Sequence, residues 1–148
     1  MTVVKKSRSV AYTCEQMYHL VNDVERYADF LPYFSSGVVH YKDADEAQAT
    51  LSITAAGISK SFTTCNRLQV NKMIEMRLID GPFSHLEGFW RFDETPKGCH
   101  ITFDLEFEWS GKLLSMMLEP VVEEVAHQIM DAFCKRAAEI YDQRHRIV

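Results

Sequence analysis

Residues 101–109 alternate without a fault. Ile101, Phe103, Leu105, Phe107 and Trp109 are apolar, and Thr102, Asp104, Glu106 and Glu108 between them are polar. Successive side chains leave a strand on opposite faces, so this run describes a strand with one dry face and one wet face. One-sided burial of that kind belongs to antiparallel sheets, because parallel sheets are covered on both sides.

The period of two extends back to about residue 36. Leu51, Ile53 and Ala55 alternate with Thr50, Ser52 and Thr54. Ile74, Met76 and Leu78 alternate with Glu75 and Arg77. Leu86, Gly88, Trp90 and Phe92 alternate with Glu87, Phe89, Arg91 and Asp93. Asp43-Ala44-Asp45-Glu46, Ala56-Gly57, Asp80-Gly81-Pro82 and Thr95-Pro96-Lys97-Gly98 carry the residues that make hairpin connections between such runs. With a first strand over 2–11, the sheet has about seven strands.

Helical signals flank the sheet. Thr13 followed by Gln16 is a capping box, and Met17, Leu20 and Val21 supply the stripe of the helix it opens. Asn22 with Glu25 reads as a second cap, for a helix kept short by Leu31-Pro32, since the residue before proline avoids the helical region. From 112 to about 143 the period becomes helical. Leu114, Met117, Leu118, Val121, Val125, Ile129, Phe133, Ala137 and Ile140 line one side, and Glu123, Glu124, Asp131, Lys135 and Glu139 the other. Pro120 should kink this helix or set its first turn apart. The expected class is α+β: a curved antiparallel sheet around a long C-terminal helix, with two short helices after the first strand.

Size and charge narrow the function. The chain has 148 residues, enough to bury well over half of its unfolded surface, and no linker divides it, so 1–148 reads as a single domain. The formal charge of −5 argues against broad attraction to DNA or to an anionic membrane. Basic residues cluster only near the ends, at Lys5, Lys6 and Arg8 and at Arg144, His145 and Arg146, which leaves a transient membrane contact open. No run approaches the roughly 20 apolar residues of a membrane span, and no apolar stretch follows the first lysines. Cys14, Cys65, Cys99 and Cys134 show no CxxC spacing. A cytoplasmic protein with free thiols is expected.

Catalytic patterns are weak. Glu124 and His127 form one Glu-x-x-His, but a di-iron bundle needs two copies and further glutamates, so a solvated acid beside a partly buried histidine is the simpler reading. Glu106 and Glu108 share the wet face of their strand and read as solubilising charge. His19, His40, His85 and His100 have no metal spacing. Arg67, Arg77 and His85 are the best candidates for a polar group in an interior pocket, although strand phase places Arg77 opposite the apolar set. No phosphate-binding glycine motif occurs.

Two separated stretches carry a resemblance. The first is Leu20-Val21-Asn22-Asp23-Val24-Glu25-Arg26-Tyr27 with the Phe30-Leu31-Pro32 that follows. The second is Leu105-Glu106-Phe107-Glu108-Trp109, then Leu113-Leu114, then the run from Ala132-Phe133 through Arg136-Ala137 to Tyr141. Together they resemble the START-like coenzyme-Q-binding family, which includes ubiquinone chaperones and bacterial ribosome-association toxins, within a wider superfamily of polyketide cyclases. Where relatives commonly have Trp-Cys after Leu-Pro, this chain has Tyr33-Phe34.

The resemblance implies a helix-grip fold with an internal apolar cavity, and the weak catalytic patterns make a non-enzymatic binding protein the expectation. It implies an apolar ligand such as ubiquinone or a lipid, and for bacterial members a contact with the large ribosomal subunit that blocks subunit joining. Polyketide aromatase or cyclase chemistry is the remaining alternative. No metal or resident cofactor is implied. In the expected pocket, Trp90, Phe92, Phe103 and Phe107 form the floor and Leu118, Val122, Val125 and Ile129 the roof. Tyr27, Phe30, Leu31, Pro32, Tyr33 and Phe34 form the gate. If ribosomal RNA is bound, Arg67, Lys72, Arg77 and Arg91 would gather with Lys5, Lys6 and Arg8 on one outer face.

Overall fold

The strands are β1 (Thr2–Val10), β2 (Phe34–Lys42), β3 (Glu46–Ala55), β4 (Ile58–Gln69), β5 (Met73–Asp80), β6 (Phe83–Thr95) and β7 (Gly98–Trp109). They form one antiparallel sheet in the order β1-β7-β6-β5-β4-β3-β2, a meander closed by the return of β1 beside β7. The computed structural model describes residues 1–55 and 57–142. Ala56 of the expected Ala56-Gly57 turn and the basic group Arg144, His145 and Arg146 lie outside the described residues.

Between β1 and β2 lie helix α1 (Cys14–Asn22) and a 3-10 segment, Val24–Asp29. The capping box is present: the Gln16 amide donates to Thr13 Oγ1 at 3.1 Å and the Thr13 amide donates to Gln16 Oε1 at 2.9 Å. The expected second box is not. Asn22 is the last residue of α1, and Asp23 precedes the 3-10 segment without a side-chain cap. One residue is too little connection for a second capped helix, so the chain tightens into 3-10 geometry and ends before Leu31-Pro32. Gly37 permits this arrangement, because a Cβ there would lie 2.2 Å from the Val24 carbonyl oxygen.

The long helix α2 (Lys112–Ala137) has 26 residues, about 39 Å at the usual rise, and passes into a π-helical turn, Ala138–Asp142. It is not divided at Pro120. Proline removes one amide and frees the carbonyl four residues earlier, on Met116, which is exposed where water can meet it. Across the sheet, paired residues share a face, so register defines the inner wall: Ala47 pairs with Asn66, Asn66 with Met76, Met76 with Gly88 and Gly88 with Leu105. The core lies between that wall and α2, with Phe107 and Phe133 wholly buried. Truncating either to alanine should cost about 3–5 kcal/mol.

Candidate functional site

Side chains of β3, β4 and α2, several of them short, face one another across the middle of the core. From β3 come Ala49, Leu51 and Ile53; from β4 Phe62, Thr64 and Asn66; from α2 Val122, Val125, Ala126 and Ile129. Alanine and valine on one side and alanine and threonine on the other cannot close the gap that a curved sheet leaves beneath a straight helix. A cavity of about 110 Å³ remains. A dry apolar cavity of roughly 150 Å³ accepts a benzene ring, so this space is somewhat smaller than one bare ring needs and must widen to admit one. Trp90, Phe103 and Phe107 form its floor with Leu86 and Leu105, and Val21, Asn22, Val24, Tyr27 and Phe34 close one end.

Eight of the fourteen residues expected at the pocket line the cavity: Tyr27, Phe34, Trp90, Phe103, Phe107, Val122, Val125 and Ile129. Six lie elsewhere. Phe92 is buried against Tyr18, with ring centroids 5.8 Å apart. It is two residues beyond Trp90, where α1 covers the sheet. Leu118 belongs to a satellite cluster with Phe83, Leu86, Phe107 and Trp109, one turn short of the cavity. Phe30, Leu31 and Pro32 line an outer cleft of about 720 Å³ that also touches Asp131, Lys135 and Arg136 of α2. Tyr33 is partly exposed and its hydroxyl donates to Glu124 Oε2 at 2.9 Å.

An aromatic partition separates the cavity from the outer cleft. Tyr27 lines the cavity, and its ring sits edge-on to Phe30, Phe34 and Phe133 at centroid distances of 6.2, 5.9 and 5.5 Å. Arg136 covers the far side of Phe30, 5.4 Å from its centroid. The Tyr27 hydroxyl donates to the Val21 carbonyl, and burial, followed by the nearby Asp23 charge, pushes its pKa up. It is therefore neutral at physiological pH and serves as a wall, not a base. No Asp, Glu, His, Lys or Arg lines the cavity among the described residues.

The other expected polar groups face away. Arg67 and Arg77 line a shallow outer depression with Glu75, Glu87, Asp104 and Glu106. Acids thus interleave with the arginines, and the expected basic patch does not form there. Arg91 is bound to Asp93 at 3.0 Å, and Lys5 lies 3.9 Å from Asp104. Lys6 and Arg8 pair with Phe103 and Ile101, which places them on the helix side of the sheet, where Arg8 bonds Asp131. His127 is exposed, not partly buried. His85 does find acids, with its Nε2 3.1 Å from Glu106 and 3.8 Å from Glu87 on the outer face.

Sequence reasoning missed the β3–β5 wall: Ala49, Leu51, Ile53, Phe62, Thr64, Asn66, Ile74 and Met76. A signal existed. Phe62, Thr64, Asn66 and Leu68 keep the inner phase of β4, and small or polar residues break the apolar series at its middle.

A curved seven-stranded antiparallel sheet gripping a long C-terminal helix is the START-like, helix-grip fold. Solved structures that share it include a START superfamily protein from Mycobacterium smegmatis (21% identity, 93% of this chain and 98% of that one, TM-score 0.76) and an aromatase/cyclase from Streptomyces sp. R1128 (21% identity, 92% and 93%, TM-score 0.74). The chain belongs to the polyketide cyclase / dehydrase and lipid transport family, which matches residues 10–134. It is 39% identical to the ribosome association toxin of Escherichia coli over 97% of this chain and 92% of that protein. It is 28% identical to a mitochondrial coenzyme Q-binding protein of Xenopus laevis, over 94% of this chain and 59% of that longer protein. No described helix is long and apolar enough to cross a membrane.

Proposed function

We infer that this chain is a non-enzymatic, cytoplasmic binding protein that holds an apolar ligand, a polyprenyl quinone or another lipid, between its sheet and α2. The apolar cavity of about 110 Å³ carries this reading. The likeness to a coenzyme Q-binding protein supports the ligand class. The cavity marks where the ring of such a ligand would sit, and its walls must give to admit it. A longer tail needs the Tyr27–Phe30 partition to part, which would join the cavity to the outer cleft. Each Å² of apolar tail removed from water contributes about 25 cal/mol, so a tail in that cleft adds affinity without polar contacts. The cavity offers no acid–base group beyond a neutral Tyr27, which favours holding a ligand over cyclising one. The test is mass spectrometry of an organic extract of the protein purified from its own cytosol. A stoichiometric quinone or lipid is expected; an empty protein after gentle purification overturns the reading.

A second reading has its own support. The 39% identity to a ribosome association toxin across nearly the whole chain favours association with the ribosome, and the large subunit is the partner expected from the sequence resemblance. The two functions use different surfaces and are compatible. Because acids interleave with the arginines of the sheet's outer face, that face is a poor phosphate-binding surface, and docking would use another one. Co-sedimentation with ribosomes at low salt, lost as salt rises, is the expected result. No sedimentation at low salt ends this reading.

A further inference from the structure

Three polar residues are buried among the described residues, and all three line the cavity. They are Asn22 at 9% exposure, Thr64 at 6% and Asn66 at 6%. An apolar core has no use for them, since a buried amide without a partner costs stability. They come from two elements, α1 and β4, so one strand's phase does not explain their meeting. Thr64 Oγ1 donates to Asn66 Oδ1 at 2.9 Å. That bond uses the hydroxyl proton and the Asn66 carbonyl oxygen, so what Asn66 still offers beside the cavity is its amide donor. On the β3 side the residues beside this pair are small, because register sets Thr64 next to Ala49 and Asn66 next to Ala47.

We propose that Asn22, Thr64 and Asn66 form a head-group subsite that selects amphiphiles whose ring carries a hydrogen-bond-accepting oxygen. The inference rests on the cavity being a ligand site. One polar end in an otherwise apolar cavity fixes orientation: the oxygen meets the asparagine amides and the apolar remainder points toward the Tyr27–Phe30 partition. A site built this way rejects a shape-matched hydrocarbon, because that occupant leaves the buried amides unpaired.

The test compares two probes of the same shape, para-butylacetophenone and its carbonyl-free analogue para-butylethylbenzene. Both are titrated into the full chain and followed by NMR of the nitrogen-labelled side-chain amides. The ketone should bind at least about tenfold more tightly and move the Asn66 side-chain signals, while the hydrocarbon leaves them in place. Asn66→Leu should bring the two affinities within about twofold of each other without weakening the hydrocarbon. Thr64→Val serves if that variant fails to fold and should reduce the preference in the same direction. Equal binding of both probes by the unaltered chain overturns the subsite and leaves the cavity reading intact, as does a preference that survives Asn66→Leu. Binding of neither probe overturns both.

Discussion

The hydroxyl of Tyr33 donates to Glu124 Oε2 at 2.9 Å, tying the end of the gate segment to the middle of α2. The backbone has already prepared the position. Tyr33 has φ of 67°, a left-handed conformation unusual for a tyrosine, and its carbonyl accepts from the Thr54 amide at 2.9 Å. The latch therefore links β3, the gate and α2, the three elements that would have to separate for a long ligand to enter. Tyr33→Phe should leave the melting temperature within about 2 °C and raise the ligand exchange rate roughly two- to fivefold, measured by stopped-flow displacement. The bond to Glu124 also raises the Tyr33 pKa above its ordinary 10. A raised pKa means the latch is fully present below the ordinary value and is lost as pH rises through the folded one, so exchange should accelerate above about pH 10. An exchange rate insensitive to both changes would remove the latch from the mechanism.

Cys14 and Cys99 meet across the core, with sulfurs 2.8 Å apart. The sequence gives no sign of the pair, because Cys14 opens α1 and Cys99 lies in β7, 85 positions apart. Burial, then the hydrogen bond with Cys14, pushes the Cys99 thiol up, so little thiolate exists near neutral pH and oxidation should be slow. Diamide should still join the two sulfurs, with loss of two hydrogens by mass. Closing a loop of that length would stabilise the fold by up to about 4–5 kcal/mol on the chain-entropy account. Cys14→Ser should abolish the cross-link without mixed products at Cys65. Persistence of four free thiols after prolonged diamide would show that the core holds the sulfurs apart.

Glu106 is not an idle solubilising charge. The hydrogen bond from His85 holds its carboxyl below the usual range. For a lowered pKa, the stabilisation is present above the ordinary carboxylate value and disappears as pH falls through the folded one. His85→Ala should therefore move the Glu106 titration upward, read by carboxyl carbon NMR. It should also flatten the acid limb of the stability profile below about pH 4.5. An unmoved Glu106 titration would mean the contact is not formed in solution.

Strand faces were legible because burial imposes a period of two, and β7 obeys it from Ile101 to Trp109. The long helix was legible for the same reason at its own period. Asn22 was misread because a cap signal depends on where the previous helix stops, and α1 uses Asn22 as its last residue. The turn around Asn71, which has φ of 64°, lacks both the glycine or proline of three other hairpins and the paired aspartates of the fourth. The cavity was half legible. Its aromatic floor stands out in any sequence, whereas its far wall consists of Ala49, Thr64 and Asn66, residues that draw attention only when facing another small residue. Facing is a property of register, and no single strand encodes it.

The void itself yields the last prediction. Ala126 lies on α2 between Val125 and Ile129 and lines the cavity from the helix side. Enlarging it places apolar atoms where the native chain leaves empty space, so the usual overpacking penalty is small and new contacts are gained. Ala126→Leu should stabilise the ligand-free protein by about 0.5–2 kcal/mol, a rise of roughly 1–8 °C in melting temperature. The same substitution occupies the space a ring needs, so the variant should retain no co-purified apolar ligand. Stability and binding must then move in opposite directions. A cavity already filled in solution, by rearranged side chains or by collapse of α2 onto β4, would instead make Ala126→Leu destabilising by about 1–3 kcal/mol, as inserting methylenes into a packed core does.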